Sequence, residues 1–331
     1  MRELYLERPR HLEMRESTPV DLLKDSEVRI KISYGGICGS DIRVLQGTLP
    51  YAQYPCRPGH EILGSVLEAG RTAPFKKSDR VISYPNTYCG SCEFCIKGKT
   101  NICASKQTFG VTINGLFGEE VVADAKYLVP VPDDLSSERA ILTEPLAVNV
   151  HALKKVKIEK GTTVAVVGCG IEGLLSTALL HHLGADLTVI DINPAKIEKA
   201  KSAYPNIKTL HPGEIKDQLF DVVIEAAGVK EAIEQAFTLV KPGGTLITLG
   251  ITDQAVSFPS LHVTRSEMTI FGSIIYTKDD FEDAFRYLKN PQFDISPVIA
   301  KILPFKEYEQ AFADASSGNY TKIILDFHDS R

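Results

Sequence analysis

The chain has 331 residues, 44% of them hydrophobic and 24% charged, and a net charge of −5. This length suits about two domains, and the composition excludes low-complexity and intrinsically disordered chains. The slight acidity offers no basic surface for nucleic acid and no polybasic membrane anchor. The N-terminus lacks a signal-peptide core, and the longest apolar stretch, residues 164–180, contains three glycines and is too short to span a bilayer. We therefore expect neither a nucleic-acid partner nor a membrane location.

The predicted elements change character near residue 150. Before it, short alternating or β-branched strands at 28–32, 62–67 and 79–82 indicate an irregular antiparallel β domain. After it, apolar strands at 162–167, 187–190, 221–224, 245–249 and 268–271 alternate with helices at 170–183, 194–204 and 230–239. Continuous apolar strands of this kind are typical of a parallel sheet covered on both faces. Helices at 279–289 and 305–315 and a strand at 322–325 complete the chain.

A glycine-rich turn joins the first strand of the alternating region to its helix. Residues 168–173 are Gly-Cys-Gly-Ile-Glu-Gly, and such glycines let the backbone approach a pyrophosphate at a helix N-terminus. The next strand ends in Asp191, 18 residues beyond Gly173, near the spacing of a ribose-binding acid. The alternative is a glycine turn in a non-binding α/β domain. We expect the cofactor to contact Gly168, Gly170, Ile171, Glu172, Gly173, Asp191, Lys196, Ala227 and Gly250.

Asp191 also discriminates between cofactors. Its carboxylate would accept hydrogen bonds from the ribose of NAD but would repel the 2′-phosphate of NADP. Two unit charges about 4 Å apart repel by about 4 kcal/mol at an effective dielectric constant of 20. The sequence therefore predicts NAD. Lys196 could close over the adenosine, or it could be a solvated helix lysine.

Seven cysteines, an odd number, include four between residues 89 and 103. A disulfide framework is usually even and more widely spread, so we expect reduced thiols and a cytoplasmic protein. The spacing Cys89-x2-Cys92-x2-Cys95-x7-Cys103 suits a closed, structural zinc site. An iron–sulfur cluster would require the fourth cysteine after three residues, followed by proline. The remaining alternative is four unmetallated thiols.

A second group of metal-ligating residue types lies in separate segments of the chain. They are Cys38, His60, Glu61 and Glu144. One thiolate, one imidazole and one or two carboxylates can hold zinc and leave a position open for substrate. Three of these residues also have an ordinary structural explanation: Cys38 as a core thiol, His60 as a buried histidine and Glu144 as a helix N-terminal carboxylate.

These motifs together resemble the zinc alcohol dehydrogenases of the medium-chain dehydrogenase/reductase family. The resemblance rests on Gly59-His60-Glu61-x2-Gly64-x5-Gly70, on Gly36-Ile37-Cys38-Gly39-Ser40-Asp41, on the four-cysteine lobe and on the glycine-rich turn. Residues 144–152, Glu-Pro-Leu-Ala-Val-Asn-Val-His-Ala, resemble the sorbitol, threonine and sugar-acid dehydrogenase branch, since liver-type alcohol dehydrogenases have cysteine in place of Glu144.

The resemblance implies an α/β protein with two domains. A β-rich, GroES-like catalytic domain would comprise residues 1–149 and 277–331, with its zinc lobe at about 86–106, and a Rossmann domain would comprise 150–276. It also implies two zinc ions per chain, NAD, an alcohol or ketone substrate, and a homo-oligomer, either dimer or tetramer. Cys38, His60 and either Glu61 or Glu144 would ligate the catalytic zinc, and Ser40 would begin the proton path.

The substrate remains open at this level. A polyol, a sugar acid or a hydroxy amino acid fits the branch, with a simple alcohol or a diol such as 2,3-butanediol as the alternative. A zinc-free quinone or enoyl reductase would lack both cysteine-containing sites, and a non-catalytic zinc/NAD redox sensor would show no turnover. Arg43 and Arg57 could meet an acidic group of the substrate, or both could be surface residues.

Overall fold

The computed structural model describes residues 1–18 and 22–328. Two compact units emerge, the first formed by Met1–Glu144 with Ile299–Arg331 and the second by Pro145–Val298. The domain boundaries expected from the sequence, which place the Rossmann domain at residues 150–276, remain a prediction. Within the described residues, no helix has the length and apolar character needed to cross a membrane.

The strands, in chain order, are β1 (Arg2–Leu6), β2 (Leu12–Glu16), β3 (Glu27–Ile37), β4 (Glu61–Ala69), β5 (Arg80–Ser83), β6 (Glu120–Asp124), β7 (Leu128–Pro130), β8 (Thr163–Val167), β9 (Asp186–Ile190), β10 (Lys208–Leu210), β11 (Phe220–Glu225), β12 (Val240–Thr248), β13 (Thr269–Gly272), β14 (Ile299–Pro304) and β15 (Lys322–Asp326). The α-helices are α1 (Gly39–Gln46), α2 (Glu93–Ile96), α3 (Ser137–Ala140), α4 (Thr143–Leu153), α5 (Ile171–Leu183), α6 (Pro194–Ala203), α7 (Lys230–Thr238), α8 (Ser260–Arg265), α9 (Lys278–Lys289) and α10 (Tyr308–Ser316).

The first unit is built on a seven-stranded sheet. Its strand order is β14-β15-β3-β4-β5-β7, and β6 pairs with β3 outside this path. All neighbouring pairs are antiparallel except β14 with β15. Val28, Ile30 and Ile32 alternate along β3 and face the core, where each is at most 1% exposed, as expected for a strand with one buried face.

The second unit is a six-stranded parallel sheet in the order β10-β9-β8-β11-β12-β13. In β8, Val164 to Val167 are all buried, which matches the continuous apolar run and confirms the predicted parallel sheet. The strand order reverses between β8 and β11. Ligands of doubly wound sheets bind at the carboxyl ends of the strands beside such a switch point. A ligand of this unit would therefore contact the residues that follow β8, β9, β11 and β12.

Candidate active site

Three potential metal ligands meet at the end of β3 in the first unit. Cys38 follows β3 directly and is the residue before α1, while His60 and Glu61 stand at the start of β4. The antiparallel register pairs Gly36 with Glu61, and this pairing brings the two strand ends side by side. One ligand atom each from Cys38, His60 and Glu61 lies within 4.8 Å of the others. The residue types and their spacing fit a zinc ion.

Polar side chains flank both nitrogen atoms of the His60 ring. Its Nδ1 lies 3.4 Å from Oδ1 of Asp41, and its Nε2 lies 3.4 Å from Oγ of Ser40. Asp41 is itself fixed, because its carboxylate accepts hydrogen bonds from the backbone N–H groups of Cys38 (2.9 Å) and Gly59 (3.1 Å). A carboxylate beside the outer nitrogen of a metal-binding histidine orients the ring and leaves the other nitrogen available to the metal.

Electrostatics at His60 follow from the same neighbours. Burial of the imidazole acts to lower its pKa, but the Asp41 carboxylate and the Cys38 thiol raise the pKa well above its ordinary value. Asp41 is 1% exposed and His60 5% exposed. The histidine therefore sits in a field that favours positive charge, which is the field a cation would experience there.

Glu61 has a partner that the sequence did not indicate. Both of its carboxylate oxygens lie 2.7 Å from Nζ of Lys322, on β15, and the two side chains are 0% and 1% exposed. Lys322 also donates to the main-chain oxygen of Ile37 (3.2 Å). Glu144, at the start of α4, is 9% exposed. Among the described residues, the ligand group within 4.8 Å comprises Cys38, His60 and Glu61 and does not include Glu144.

The four cysteines of the lobe converge as their spacing predicts. The sulfur of Cys89 lies 3.9 Å from that of Cys95 and 3.6 Å from that of Cys103, and the sulfurs of Cys92 and Cys103 are 3.9 Å apart. A tetrahedron with Zn–S bonds of about 2.3 Å has sulfur–sulfur edges of about 3.8 Å. The four thiols therefore fit a zinc ion.

Backbone N–H groups in this lobe donate hydrogen bonds to cysteine sulfur atoms and so stabilise the thiolate form. The N–H of Cys92 donates to Sγ of Cys89 (3.3 Å), and the N–H of Cys89 donates to Sγ of Cys103 (3.3 Å). The backbone N–H groups of Ser91 and Cys92 lower the pKa of the Cys89 thiol to about 6. A thiolate is the form of cysteine that ligates a metal.

The glycine turn of the second unit has the geometry of a phosphate cradle. A Cβ on Gly168 would lie 2.7 Å from the Ala227 nitrogen, and one on Gly173 would lie 1.7 Å from the Gly168 oxygen, so close backbone packing requires both glycines. A Cβ on Gly170 would meet no protein atom within 4 Å. Packing does not explain Gly170, whereas a ligand approaching the backbone at the N-terminus of α5 does.

Asp191 lies directly after β9, beside this turn. Its Oδ2 accepts a hydrogen bond from the Cys169 N–H (2.6 Å), and its Oδ1 accepts one from the Asn193 N–H (2.7 Å). The carboxylate is 9% exposed, and each oxygen retains a second lone pair. The arrangement can accept hydrogen bonds from a ribose while staying fixed to the turn.

The other expected cofactor contacts fall in the same unit. Ile171 and Glu172 open α5, and Lys196 is half-buried on α6. Ala227 follows β11, and Gly250 follows β12. The Glu172 side chain is engaged by the protein, because its Oε2 accepts a hydrogen bond from Nδ2 of Asn149 (2.7 Å).

Arg57 is neither a surface residue nor free to meet a substrate, so both explanations offered for it were wrong. Its guanidinium donates to Oε2 of Glu3 (2.7 Å) and to the main-chain oxygen of Gly115 (2.6 Å). The Arg57 side chain is 16% exposed and the Glu3 side chain 7%. This ion pair ties the N-terminal strand to the loop that precedes β4.

Comparisons with known proteins identify the family. The family described as "Alcohol dehydrogenase GroES-like domain" matches residues 24–133, and the one described as "Zinc-binding dehydrogenase" matches residues 173–290. D-arabinitol dehydrogenase 1 of Uromyces fabae is 30% identical, over 98% of this chain and 97% of its own. The chain belongs to the zinc-type medium-chain dehydrogenase family. The predicted family and fold class are thereby confirmed, and the protein is a dehydrogenase.

Solved structures of similar proteins extend this zinc-type dehydrogenase fold over the whole chain. Galactitol-1-phosphate dehydrogenase from Escherichia coli is 27% identical, with a TM-score of 0.90 over 98% of this chain and 100% of that chain. A chain from Sinorhizobium meliloti 1021, named provisionally as a zinc-binding dehydrogenase and bound to NADP, is 26% identical, with a TM-score of 0.90 over 98% of both chains.

Sequence reasoning missed three residues that support the sites of this dehydrogenase. Asp41 stood inside a quoted motif but received no role, although its place three residues after Cys38 is a usable signal. Lys322 lies in a predicted strand, 261 positions from Glu61, and nothing local marks it. Asn149 connects α4 with Glu172 on α5, and only the folded chain shows that contact.

Proposed function

We propose that this protein is a zinc-dependent NAD dehydrogenase that acts on a secondary hydroxyl group of a polyol, a sugar acid or a hydroxy amino acid. The observation that carries the proposal is the meeting of Cys38, His60 and Glu61 within 4.8 Å, in a chain that also has the glycine turn and Asp191. The names of two relatives, D-arabinitol dehydrogenase 1 and galactitol-1-phosphate dehydrogenase, indicate substrates of the same class.

The roles of the residues follow from their positions. Cys38 and His60 would hold the catalytic zinc, with Glu61 or Glu144 as the carboxylate ligand. When bound, zinc lowers the pKa of a hydroxyl group and the nicotinamide accepts a hydride. Ser40 would begin the proton path as a relay, because a hydroxyl group that accepts a proton can pass its own proton on, and its Oγ lies 3.4 Å from Nε2 of His60, beside the ligand group. Asp41 fixes the imidazole ring.

A second zinc and the choice of NAD belong to the same proposal. Cys89, Cys92, Cys95 and Cys103 would hold the structural zinc, and their sulfur–sulfur distances support it. Asp191 supports NAD by its charge and its position after β9. The NADP bound to the Sinorhizobium meliloti chain makes a direct comparison of the two cofactors part of the test.

We further propose a homo-oligomer, dimer or tetramer, in the cytoplasm. β13 is an edge strand whose four residues are all exposed, Ile270 and Phe271 among them. An apolar edge strand with open backbone groups is a usual place for a second chain to pair. The compartment is supported by seven cysteines that form no disulfide and by two groups of ligands that need thiolates.

The test is a substrate panel with NAD and with NADP, in which formation of the reduced cofactor is measured. At least one of D-arabinitol, sorbitol, an aldonate, galactitol 1-phosphate and threonine should outperform ethanol and 2-propanol, and 2,3-butanediol tests the diol alternative. Cys38→Ala should abolish turnover, whereas Cys56→Ala, which removes a buried thiol outside both ligand groups, should retain it. Highest activity on ethanol would contradict the substrate class, and no activity on any alcohol would contradict the proposed reaction.

A further inference from the structure

Glu225 is a buried carboxylate that the proposed chemistry does not use. It is the last residue of β11, it is 0% exposed, and no ion pair to it occurs among the described residues. Its Oε1 instead accepts hydrogen bonds from the backbone N–H groups of Ala227 (2.8 Å) and Gly228 (2.7 Å). Burial raises the pKa of Glu225, and the N–H groups of Gly228, Ala227 and Gly250 partly oppose that rise. A buried carboxylate without a cation costs stability, so stability alone does not explain this residue.

The carboxylate lies at the junction of two loops. The main-chain oxygen of Glu225, and not its carboxylate, accepts hydrogen bonds from the N–H groups of Leu249 (2.8 Å) and Gly250 (3.0 Å), which follow β12. A Cβ added to Gly250 would lie 2.6 Å from Oε2 of Glu225 and 2.2 Å from the Gly228 nitrogen. The loop after β11 and the loop after β12 are therefore in contact, and Glu225 bonds to both.

The position of these loops assigns them to one half of the dinucleotide. A doubly wound sheet of this order has two mononucleotide-binding halves, which meet at the switch point between β8 and β11. The glycine turn and Asp191 belong to the half that contains β8 and β9. The loops after β11 and β12 belong to the other half, which receives the nicotinamide nucleotide when the adenosine occupies the first.

We propose that Glu225 is a positioning residue for the nicotinamide half of the cofactor, because its carboxylate fixes the loop after β11, against which Gly250 of the loop after β12 packs. The inference rests on the proposed dinucleotide function. It does not make Glu225 a catalytic residue, since the side chain is buried and acts through the backbone of Ala227 and Gly228.

The test compares a ligand that uses both halves with one that uses only the first. NADH and ADP are titrated by calorimetry into wild-type protein and Glu225→Gln, which keeps the volume but removes the charge-assisted hydrogen bonds. We expect the Kd of NADH to rise by about tenfold in the variant and the Kd of ADP to change by less than about twofold. Val223→Ala is the matched control, since Val223 is a 0% exposed residue of the same strand and its truncation destabilises the sheet without touching either loop. That control should leave both Kd values unchanged.

Glu225→Asp provides a second variant if Glu225→Gln does not fold. It keeps the charge but withdraws the carboxylate by one methylene group, and it should weaken NADH selectively in the same way. An unchanged ratio of the two Kd values in a folded Glu225 variant would overturn the inference and leave the proposed function standing. Failure of the wild-type protein to bind NADH would overturn the proposed function and this inference with it.

Discussion

The buried ion pair between Glu61 and Lys322 is expected to contribute strongly to the stability of the first unit, and a substitution of Lys322 tests this. Both side chains are at most 1% exposed, and Lys322 Nζ lies 2.7 Å from each oxygen of the carboxylate. Lys322→Met keeps a side chain of similar length and removes the charge. Glu61 is then left as a buried carboxylate without its lysine partner.

The expected loss is large because removal of one partner from a buried pair leaves an uncompensated charge, at a cost of about 3–5 kcal/mol. For a unit of this size each kcal/mol lowers the melting temperature by about 2–4 °C. Lys322→Met should therefore lower the melting temperature by about 6–20 °C. The double variant Glu61→Gln/Lys322→Met should lose less than Lys322→Met alone, because it removes both charges.

The assay is thermal unfolding followed by circular dichroism, with the metal content of each variant measured first. Lys301→Met is the matched control. Lys301 lies 2.7 Å from Asp314 and stands on the neighbouring strand β14, but its side chain is 34% exposed. Solvent reaches the Lys301 ammonium and screens this pair more than the fully buried one, so the loss in Lys301→Met should be smaller. Equal losses in Lys322→Met and Lys301→Met would refute the reasoning.

Two further outcomes follow from the sites and a third from a buried ion-pair group on α9, in which Asp280 contacts His151 and Lys154. Elemental analysis should find two zinc ions per chain; Cys38→Ser should retain one and stay folded, whereas Cys92→Ser should destabilise the lobe, and an iron-containing protein would contradict the assignment. The kcat/KM with NAD should exceed that with NADP by at least about tenfold, and Asp191→Ala should narrow the difference; equal use of both cofactors by the wild type would contradict the role of Asp191. Burial acts to raise the pKa of Asp280, but hydrogen bonds from His151 and Lys154 lower it far below its ordinary value. Its stabilisation is therefore present above the unfolded-state pKa of about 4 and is lost as pH falls, so urea unfolding should show Asp280→Asn less stable than wild type at pH 7 and closer to it near pH 3.

The local sequence pattern predicted a feature correctly wherever the residues that determine it lie in one short segment. The apolar run that became β8 can only be buried on both faces, and the turn after it contains its glycines within six residues. The four lobe cysteines lie in fifteen consecutive positions, so their convergence needs no knowledge of the rest of the fold. These features were predicted correctly because each involves neighbours in sequence.

Contacts between segments that are distant in sequence could not be predicted from the sequence. β3 was predicted to end at residue 32, where alternation stops, but it continues to Ile37 because β4 and β15 pair with its second half. That extension places Cys38 beside His60. Lys322 and Arg57 were unpredictable for the same reason, since their carboxylate partners lie 261 and 54 positions away. Burial and charge pairing, and not propensity, decide where such residues go.

The charge balance at the metal ligands connects this distant pairing to the substrate. Because Lys322 already neutralises Glu61, a divalent zinc held with the thiolate of Cys38 and a neutral His60 would leave the group with net positive charge. Such a site favours an anionic substrate, because opposite charges about 4 Å apart attract by about 4 kcal/mol at an effective dielectric constant of 20. Lys322→Met should therefore raise the KM of an aldonate more than that of sorbitol. Steady-state kinetics on the two substrates, below the melting temperature of the variant, measures this difference. Equal changes in the two KM values would show that Lys322 acts on stability alone.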